Sequence, residues 1–329
     1  MTARRTATAR FVALVATLAA TAGLAACGGG SSGRKAGTAA HASTTTSGRA
    51  TTSTASNGAS RSSTATTPCR AAARPARYSH VVVFTFENRT WSAVGGPGFP
   101  AMPYLHSLAA HCPYFVDWTE SDTSQDSATQ YVSQWQGSTD HTVRNDCSPG
   151  PSCDSTAPNI ARQVRDAGGT ARSYVEGATK PCSADGNAAK HIPALYFSDR
   201  QDASACTTEV RPLTQLDPNH LPTFAFITPS LCNDGHDCGN DVVDRWAAAH
   251  IQPVLDSASY RAGQVLVEVW YDEDHPVSNL YLAPSGRPGP LATPGMGYAA
   301  TLRAWESALG LPCLAHACSA PDLRAAAGV

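Results

Sequence analysis

The chain has 329 residues with 24 Lys and Arg and 26 Asp and Glu, and its charge is unevenly distributed along the sequence. Seven of the basic residues precede residue 69 and every acid lies at or beyond Glu87, so residues 69–329 carry a formal charge of −9. This segment lacks the Lys and Arg excess that nucleic-acid binding requires. An anionic ligand would need a local cation here, and a bound metal ion is the simplest one.

The N-terminus has the layout of an export signal. Three arginines within the first ten residues precede an uncharged apolar run over residues 11–26, which is shorter than the ~20 residues of a membrane-spanning helix. The run ends in Leu-Ala-Ala-Cys at Cys27, which resembles the lipobox of bacterial lipoproteins. We predict a signal peptide over residues 1–26 and a lipid anchor at Cys27 on the outer face of the bacterial cell membrane. The alternative is a secreted protein with an ordinary signal peptide.

A low-complexity segment follows the predicted anchor. Residues 28–68 are mostly Gly, Ser, Thr and Ala, with no aromatic residue, no Val, Ile, Leu or Met, and no acid. Such a composition cannot bury a core. We therefore predict that residues 27–68 form a disordered tether and that residues 69–329 form one folded domain, a length that suits a single α/β unit.

The chain contains 11 cysteines, of which ten remain once Cys27 is assigned to the lipid. An even number in an exported chain indicates disulfides, whereas zinc ligation is disfavoured because no Cys-x-x-Cys pair occurs. Connectivity stays open, but short spacings favour three local pairs and leave four cysteines for two others: Cys147–Cys153, Cys232–Cys238 and Cys313–Cys318, then Cys69–Cys112 and Cys182–Cys206.

Hydrophobic runs and helical patterns alternate along the predicted domain. Near-continuous β-branched and aromatic runs, typical of strands buried on both faces, occupy residues 80–86, 171–175, 223–228, 264–271 and 279–283. Helical patterns occupy residues 102–110, 128–135, 159–167, 242–255 and 298–309, the last ending at Gly310. This alternation predicts an α/β fold with a mainly parallel sheet sandwiched by helices.

Polar clusters directly follow two of the predicted strands. Glu87, Asn88 and Arg89 come after the first strand, and Asp272 and Glu273 come after the run at residues 264–271. Parallel strands bring their carboxyl ends to one edge of a sheet, so these side chains can converge there. Their oxygen donors suit a divalent metal ion, although each cluster alone is more often a solvated loop.

A serine lies at the start of one predicted helix. Ser127 begins the segment Ser-Ala-Thr-Gln-Tyr, and Gly137-Ser-Thr follows shortly after it. Backbone N–H groups and the positive end of the helix dipole could hold a phosphate there while the hydroxyl attacks. A lone serine at this position is usually an N-cap, so spacing alone does not make Ser127 a nucleophile.

Taken together, these segments resemble the bacterial phosphoesterases that include phospholipases C and certain acid phosphatases, relatives of alkaline phosphatase in fold. The resemblance rests on matches that run in order from residue 80 to about residue 312. They are Glu87-Asn-Arg, the Ser127 segment with Gly137-Ser-Thr, His191-Ile-Pro, the stretch from Thr228 to Cys238, and Trp270-Tyr-Asp-Glu with one residue inserted.

The resemblance implies a metal-dependent phosphomonoesterase or phospholipase C-like phosphodiesterase. It implies that a divalent ion of undetermined identity is held by Glu87, Asn88, Ser127, Asp272 and Glu273, with Ser127 also the nucleophile. It further implies that His191 and His236 face the phosphate or the leaving group, and that Asp234 and Asp237 orient them. The expected partners are a phosphate-ester small molecule or a phospholipid head group, together with the membrane through Cys27, and no nucleic acid.

The chain departs from the family pattern near the serine and near the C-terminus. Gln125 and Asp126 replace a frequent His and Pro, Thr129 and Gln130 replace a Pro and Asn, and Gly297 replaces a His before Tyr. His275 is a possible substitute for a lost group. These departures keep open a non-catalytic surface lipoprotein that retains the fold. A metal-free Ser-His-Asp esterase is disfavoured because no Gly-x-Ser-x-Gly segment occurs.

Overall fold

The computed structural model describes residues 67–90, 102–119, 126–184, 188–274 and 276–329, all within one compact unit, Ser63–Val329. The predicted signal peptide, Cys27 and nearly all of the predicted tether lie outside the described residues, as do Gln125 and His275. None of the described helices is both long enough and apolar enough to cross a membrane.

Eight strands of the described residues form one sheet. The strands are β1 (His80–Phe86), β2 (Pro113–Trp118), β3 (Ala171–Val175), β4 (Val210–Pro212), β5 (Phe224–Thr228), β6 (Val265–Tyr271), β7 (Val277–Leu282) and β8 (Gly289–Leu291). Their order across the sheet is β4-β3-β5-β1-β6-β7-β2-β8. All pairings are parallel except those of β7 with β6 and β2. The predicted mainly parallel sheet is confirmed.

Strand β7 runs against its neighbours because its connection to β6 is short. Only residues 272–276 separate the two strands, whereas a parallel neighbour needs a crossover of a dozen or more residues. The polar residues after β6 therefore lie in a tight turn at the carboxyl edge of the sheet. The sequence analysis predicted the strand but not its direction.

Eight α-helices connect and cover these strands in the described part of the chain. They are α1 (Pro103–His111), α2 (Ser127–Gln136), α3 (Ile160–Asp166), α4 (Arg200–Glu209), α5 (Asn240–Leu255), α6 (Ala258–Arg261), α7 (Tyr298–Leu309) and α8 (Leu323–Ala327). Helix α7 has the predicted bounds and ends at Gly310, which adopts the left-handed conformation. The sequence patterns did not predict β2, β4, β8, α4, α6 or α8; of these, β4 and β8 are three residues long, and α6 and α8 have four and five residues.

Aromatic contacts show that helices cover both faces of the sheet. Phe84 and Phe86 of β1 pack edge-on against Trp246 of α5. Phe226 of β5 is in register with Val83, so it points to the opposite face, where it packs against aromatic rings of α2 and α7. The core therefore has two layers with β1 between them, which is why β1 carries almost no polar residue.

All ten cysteines in the described residues form disulfides, and the pairs are those that the sequence analysis favoured: Cys69–Cys112, Cys147–Cys153, Cys182–Cys206, Cys232–Cys238 and Cys313–Cys318. Two of these pairs close the loops that flank the sheet edge described next, at residues 147–153 and 232–238.

Candidate active site

The neighbouring strands β1 and β6 deliver buried acids to the same point on the carboxyl edge of the sheet. Phe86 is in register with Tyr271, so the next residues, Glu87 and Asp272, leave the sheet side by side. Both acids are fully buried, and Glu273 is 5% exposed. The two short turns that follow are conformationally strained, because Asn88 after Glu87 (φ 51°) and Asp274 after Glu273 (φ 73°) adopt the left-handed region.

Ser127 is the first residue of α2, and its hydroxyl points at these carboxylates. The Oγ lies 3.2 Å from Oε2 of Glu87 and 3.1 Å from Oε1 of Glu273, in position to donate its single hydrogen to either. The side chain is buried, as is every residue of α2. The preceding Asp126 does not cap the helix with its side chain but accepts a hydrogen bond from the backbone of Asn145.

Tyr131 lies one helical turn after Ser127 and therefore on the same side of α2. Its hydroxyl donates to Oε1 of Glu87 at 2.8 Å, and its ring packs edge-on against Trp270 with centroids 4.7 Å apart. Burial and the nearby charge of Glu87 raise the pKa of Tyr131 well above its usual value. Tyr131 thus stays protonated and fixes one oxygen of Glu87.

The two predicted histidines lie at different depths. His191 is 1% exposed, with Nε2 3.1 Å from Glu87 and Nδ1 3.1 Å from Asp234. Burial opposes its protonation, but the charges of Glu87 and Asp234 and the hydrogen bonds to them together outweigh burial and raise the pKa of His191 to about 9. His236 is 34% exposed, its ring centroid lies 5.9 Å from that of His191, and Asp237 accepts from its Nδ1 at 2.7 Å. Of the two, His236 is the histidine that an incoming molecule can reach.

The three carboxyl groups of the site differ in their pKa values. Burial would raise the pKa of Glu87, but the adjacent His191 lowers it to about 2. Burial, reinforced by the charge of Glu87, raises the pKa of Glu273 to about 8 and that of Asp272 well above its usual value. Without a further cation, the cluster therefore retains protons on acids that would be ionised in water.

A divalent cation fits this cluster. One ligand oxygen from each of Glu87, Asp272 and Glu273 lies within 4.8 Å of the other two, and Oδ2 of Asp272 is buried with no hydrogen-bond partner among the described residues. An unsatisfied buried oxygen among like-charged neighbours is the arrangement that a hard cation relieves. Glu87, His191 and Asp234 form a second group with ligand atoms equally close. The all-oxygen group also contains the Ser127 contact.

Arg89 fixes the backbone around Glu87. Its guanidinium donates to Oδ1 of Asn240 at 2.6 Å and to the backbone oxygens of Asn88, Gly235 and Cys238 at 2.7, 2.9 and 3.1 Å. It thereby ties the end of β1 to the disulfide-closed loop that carries His236. Arg89 is a positioning residue whose donors are committed to the protein itself.

The structure brings together Glu87, Ser127, Asp272 and Glu273, which the sequence analysis placed in one site. Asn88 lies beside them and its backbone N–H is 3.4 Å from Oδ1 of Asp272, so its ligand role stays a prediction.

The sequence analysis missed Tyr131, Asp146 and Lys190, the last two of which lie at the mouth of this site. Only Tyr131 gave a usable signal, its spacing of four residues from Ser127.

Comparison with known proteins agrees with this geometry. The model of the Phosphoesterase family matches residues 54–297. The chain belongs to the phosphoesterase family. It is 27% identical over 263 residues to a phosphatidylinositol-3-phosphatase of Mycobacterium tuberculosis, covering 77% of this chain and 84% of that protein. An acid phosphatase of Aspergillus fumigatus is 29% identical over 89 residues, 26% of this chain and 20% of that protein.

The fold has a relative among solved structures. A protein of the alkaline phosphatase superfamily from Vibrio parahaemolyticus superposes with a TM-score of 0.53 at 10% identity, over 76% of this chain and 70% of that one. This likeness confirms the predicted alkaline-phosphatase-like fold. The fold, the family match and the phosphatases among its relatives together show that the chain is a phosphoester hydrolase, as the resemblance implied.

Proposed function

We propose that this phosphoester hydrolase works with a divalent metal ion and with Ser127 as its nucleophile. The observation that carries the proposal is the Ser127 hydroxyl, which lies 3.1–3.2 Å from two carboxylates of an oxygen cluster that accommodates a cation. Glu87, Asp272, Glu273 and the Ser127 oxygen would hold the ion, with Asn88 as a further predicted ligand. When bound, the ion would offset the carboxylate charge and lower the pKa of the serine hydroxyl.

The residues of the chain have separable roles in this proposal. Ser127 forms a bond to phosphorus as the bond to the leaving oxygen breaks, and its proton passes to Glu273, the more basic of the two carboxylates within hydrogen-bond distance. Water then hydrolyses the phosphoserine. His236 is our candidate for proton transfer with the leaving group and the water, because it is accessible and Asp237 holds its Nδ1. His191, which is buried behind Glu87, positions that carboxylate.

The test measures hydrolysis of p-nitrophenyl phosphate and p-nitrophenyl phosphorylcholine before chelation, after chelation and after metal is restored. We expect chelation to abolish turnover and a divalent ion to restore it. Ser127→Ala should lower kcat at least about 1000-fold while leaving the melting temperature within a few degrees. Activity that survives both chelation and Ser127→Ala would reject the mechanism.

The substrate class that we propose is a phosphomonoester, including that of a lipid head group. Support comes from the mycobacterial relative, whose name denotes a phosphatase of phosphatidylinositol 3-phosphate. Vesicles that contain this lipid, compared with vesicles of the unphosphorylated lipid, test the extension to membranes. Phosphate release above that from p-nitrophenyl phosphate would favour a lipid substrate, and no release would leave only soluble esters.

We further propose that the enzyme is exported and lipid-anchored through Cys27 to the outer face of the bacterial cell membrane. The support is the signal-like N-terminus and five disulfides, which form in oxidising compartments. Cell fractionation and palmitate labelling of the full chain and of Cys27→Ala test this. We expect the label and membrane retention to be lost with Cys27, whereas a soluble, unlabelled wild-type protein would indicate the secreted alternative.

A further inference from the structure

A lysine lies at the mouth of the site, held by a carboxylate and a histidine. The ammonium of Lys190 donates to Oδ2 of Asp146 at 3.1 Å and to Nε2 of His236 at 3.2 Å. The side chains of Lys190 and Asp146 are 21% and 29% exposed, in contrast to the buried acids behind them. Lys190 is also close enough to Glu87 and Asp272 to interact with their charges. A substrate phosphate that approaches Ser127 would therefore meet this ammonium.

The partner carboxylate engages two donors next to the serine. Oδ1 of Asp146 accepts from the backbone N–H of Ala128, the residue after Ser127, at 3.0 Å, while Oδ2 accepts from Lys190. Asp146 is held there in the left-handed backbone region, at φ 48°, which costs free energy for a residue other than glycine. The Asp146 carboxylate thus accepts one hydrogen bond from a backbone amide and one from an ammonium, both next to Ser127.

Few cations in the described residues are available to a phosphate here. Arg89, the basic residue nearest to Glu87 in sequence, donates to backbone oxygens and to Asn240. Lys190 is bound to the partly exposed side chains of Asp146 and His236, and an ion pair that water can reach is only weakly stabilising. A phosphate oxygen can therefore replace Asp146 as the acceptor at small cost.

We propose that Lys190 binds the phosphate of the substrate and gives the site its preference for phosphomonoesters, with Asp146 as an internal anion that the phosphate displaces from the ammonium. This inference rests on the proposed hydrolysis at Ser127. A monoester dianion carries an extra negative charge into a cluster of carboxylates, and a neighbouring ammonium offsets that charge. In a diester, one charged oxygen is replaced by an alkoxy group that gains nothing from the ammonium.

The test uses the metal-loaded full chain and compares p-nitrophenyl phosphate with bis(p-nitrophenyl) phosphate. Lys190→Met should lower kcat/KM for the monoester about 30-fold, mainly through KM, and change the diester value less than about 3-fold. Lys190→Arg should keep most of the selectivity because the positive charge remains. Arg261→Met is the control, because Arg261 is exposed and lies just before the start of β6, at the opposite edge of the sheet, and this variant should behave as wild type.

A second variant tests the role of the internal anion. Asp146→Asn keeps an oxygen for the Ala128 amide but removes the charge that competes for Lys190, so inorganic phosphate should inhibit about threefold more strongly. Melting temperatures show whether each variant is folded. Weaker phosphate inhibition in Asp146→Asn, or equal losses on both esters in Lys190→Met, would overturn the inference while leaving hydrolysis at Ser127 intact. A metal-loaded wild type that cleaves neither ester would instead reject the proposed function.

Discussion

Strand β6 and the turn that follows it carry two acids, Glu268 and Asp272, that are equally buried but have different surroundings. Glu268, in the middle of the strand, is 1% exposed; its side chain accepts a hydrogen bond from the indole of Trp305, while Oε1 has no partner among the described residues. Asp272 lies four residues later and is also buried, but it lies next to Glu87 and Glu273, the two carboxylates that the Ser127 hydroxyl contacts. Burial raises the pKa of Glu268 and that of Asp272 well above the usual range.

These two acids differ in how the free-energy cost of burying a charged carboxylate can be avoided. A solitary carboxyl such as Glu268 avoids the cost of a buried charge by keeping its proton. Three converging carboxylates can instead exchange protons for one cation, which also organises the neighbouring hydroxyl. A perturbed pKa therefore does not identify an active site by itself, and the convergence of several strand ends does.

The largest effect is expected for Asp272→Asn, which removes one carboxylate from the converging cluster and leaves Glu268 unchanged. Loss of one carboxylate should weaken divalent-metal affinity at least about 100-fold, more than the removal of an outer-sphere partner. The melting temperature of wild type should rise when metal is added to the chelated protein, whereas that of the variant should not. Isothermal titration and thermal melts measure both quantities, with exposed Asp241→Asn as control. Unchanged metal affinity in Asp272→Asn would remove Asp272 from the cation site.

A smaller effect is expected for Tyr131→Phe, which removes the hydroxyl that donates to Glu87. Loss of a hydrogen bond to a charged group costs about 1.5 kcal/mol, so kcat/KM should fall about tenfold. Tyr260→Phe is the matched control because it removes a hydroxyl of similar burial that donates to the backbone of Pro68. If both variants lose the same activity, the Tyr131 contact with Glu87 has no specific role.

The smallest effect on catalysis, none within error, is expected for Glu268→Gln. Its consequence is a change in how stability depends on pH. In the unfolded chain Glu268 ionises near pH 4.3, whereas in the folded protein it keeps its proton, so wild-type stability falls as pH rises above that value. Removing the titrating group should reduce this fall by up to about 1.4 kcal/mol per pH unit in the range just above pH 4.3. The unfolding free energy of each protein is measured by urea unfolding at several pH values in that range. The same slope of free energy against pH in both proteins would contradict the assignment.

The strand-end acids could be predicted from the sequence because hydrophobic runs mark where β1 and β6 end, and parallel strands share an edge. Ser127 needed the family resemblance, since a serine at a helix start is ordinarily a cap. Lys190 and Asp146 were not predictable, because the loop that carries Asp146 has no periodic pattern and its position depends on packing against α2. The direction of β7 depends on the length of one turn, which the boundaries of the predicted strands did not fix.

The departures near Ser127 also acquire structural explanations. Thr129 donates its hydroxyl to the backbone of Val143, and Asp126 accepts from Asn145, so both residues secure the loop that carries Asp146. At Gly297 an added Cβ would lie 2.8 Å from the backbone oxygen of Thr119, so a histidine there would require the backbone to shift. The residues that this chain has at these positions thus fix the loop that carries Asp146 and allow the close approach of Gly297 to Thr119.

The most direct test of the cation site is a crystal structure of the full chain soaked in Mn²⁺, with anomalous scattering to locate the ion. The account predicts an anomalous peak at about 2.0–2.6 Å from oxygens of Glu87, Asp272 and Glu273 and from the Ser127 hydroxyl. An ion bound only elsewhere, in crystals of active protein, would contradict it.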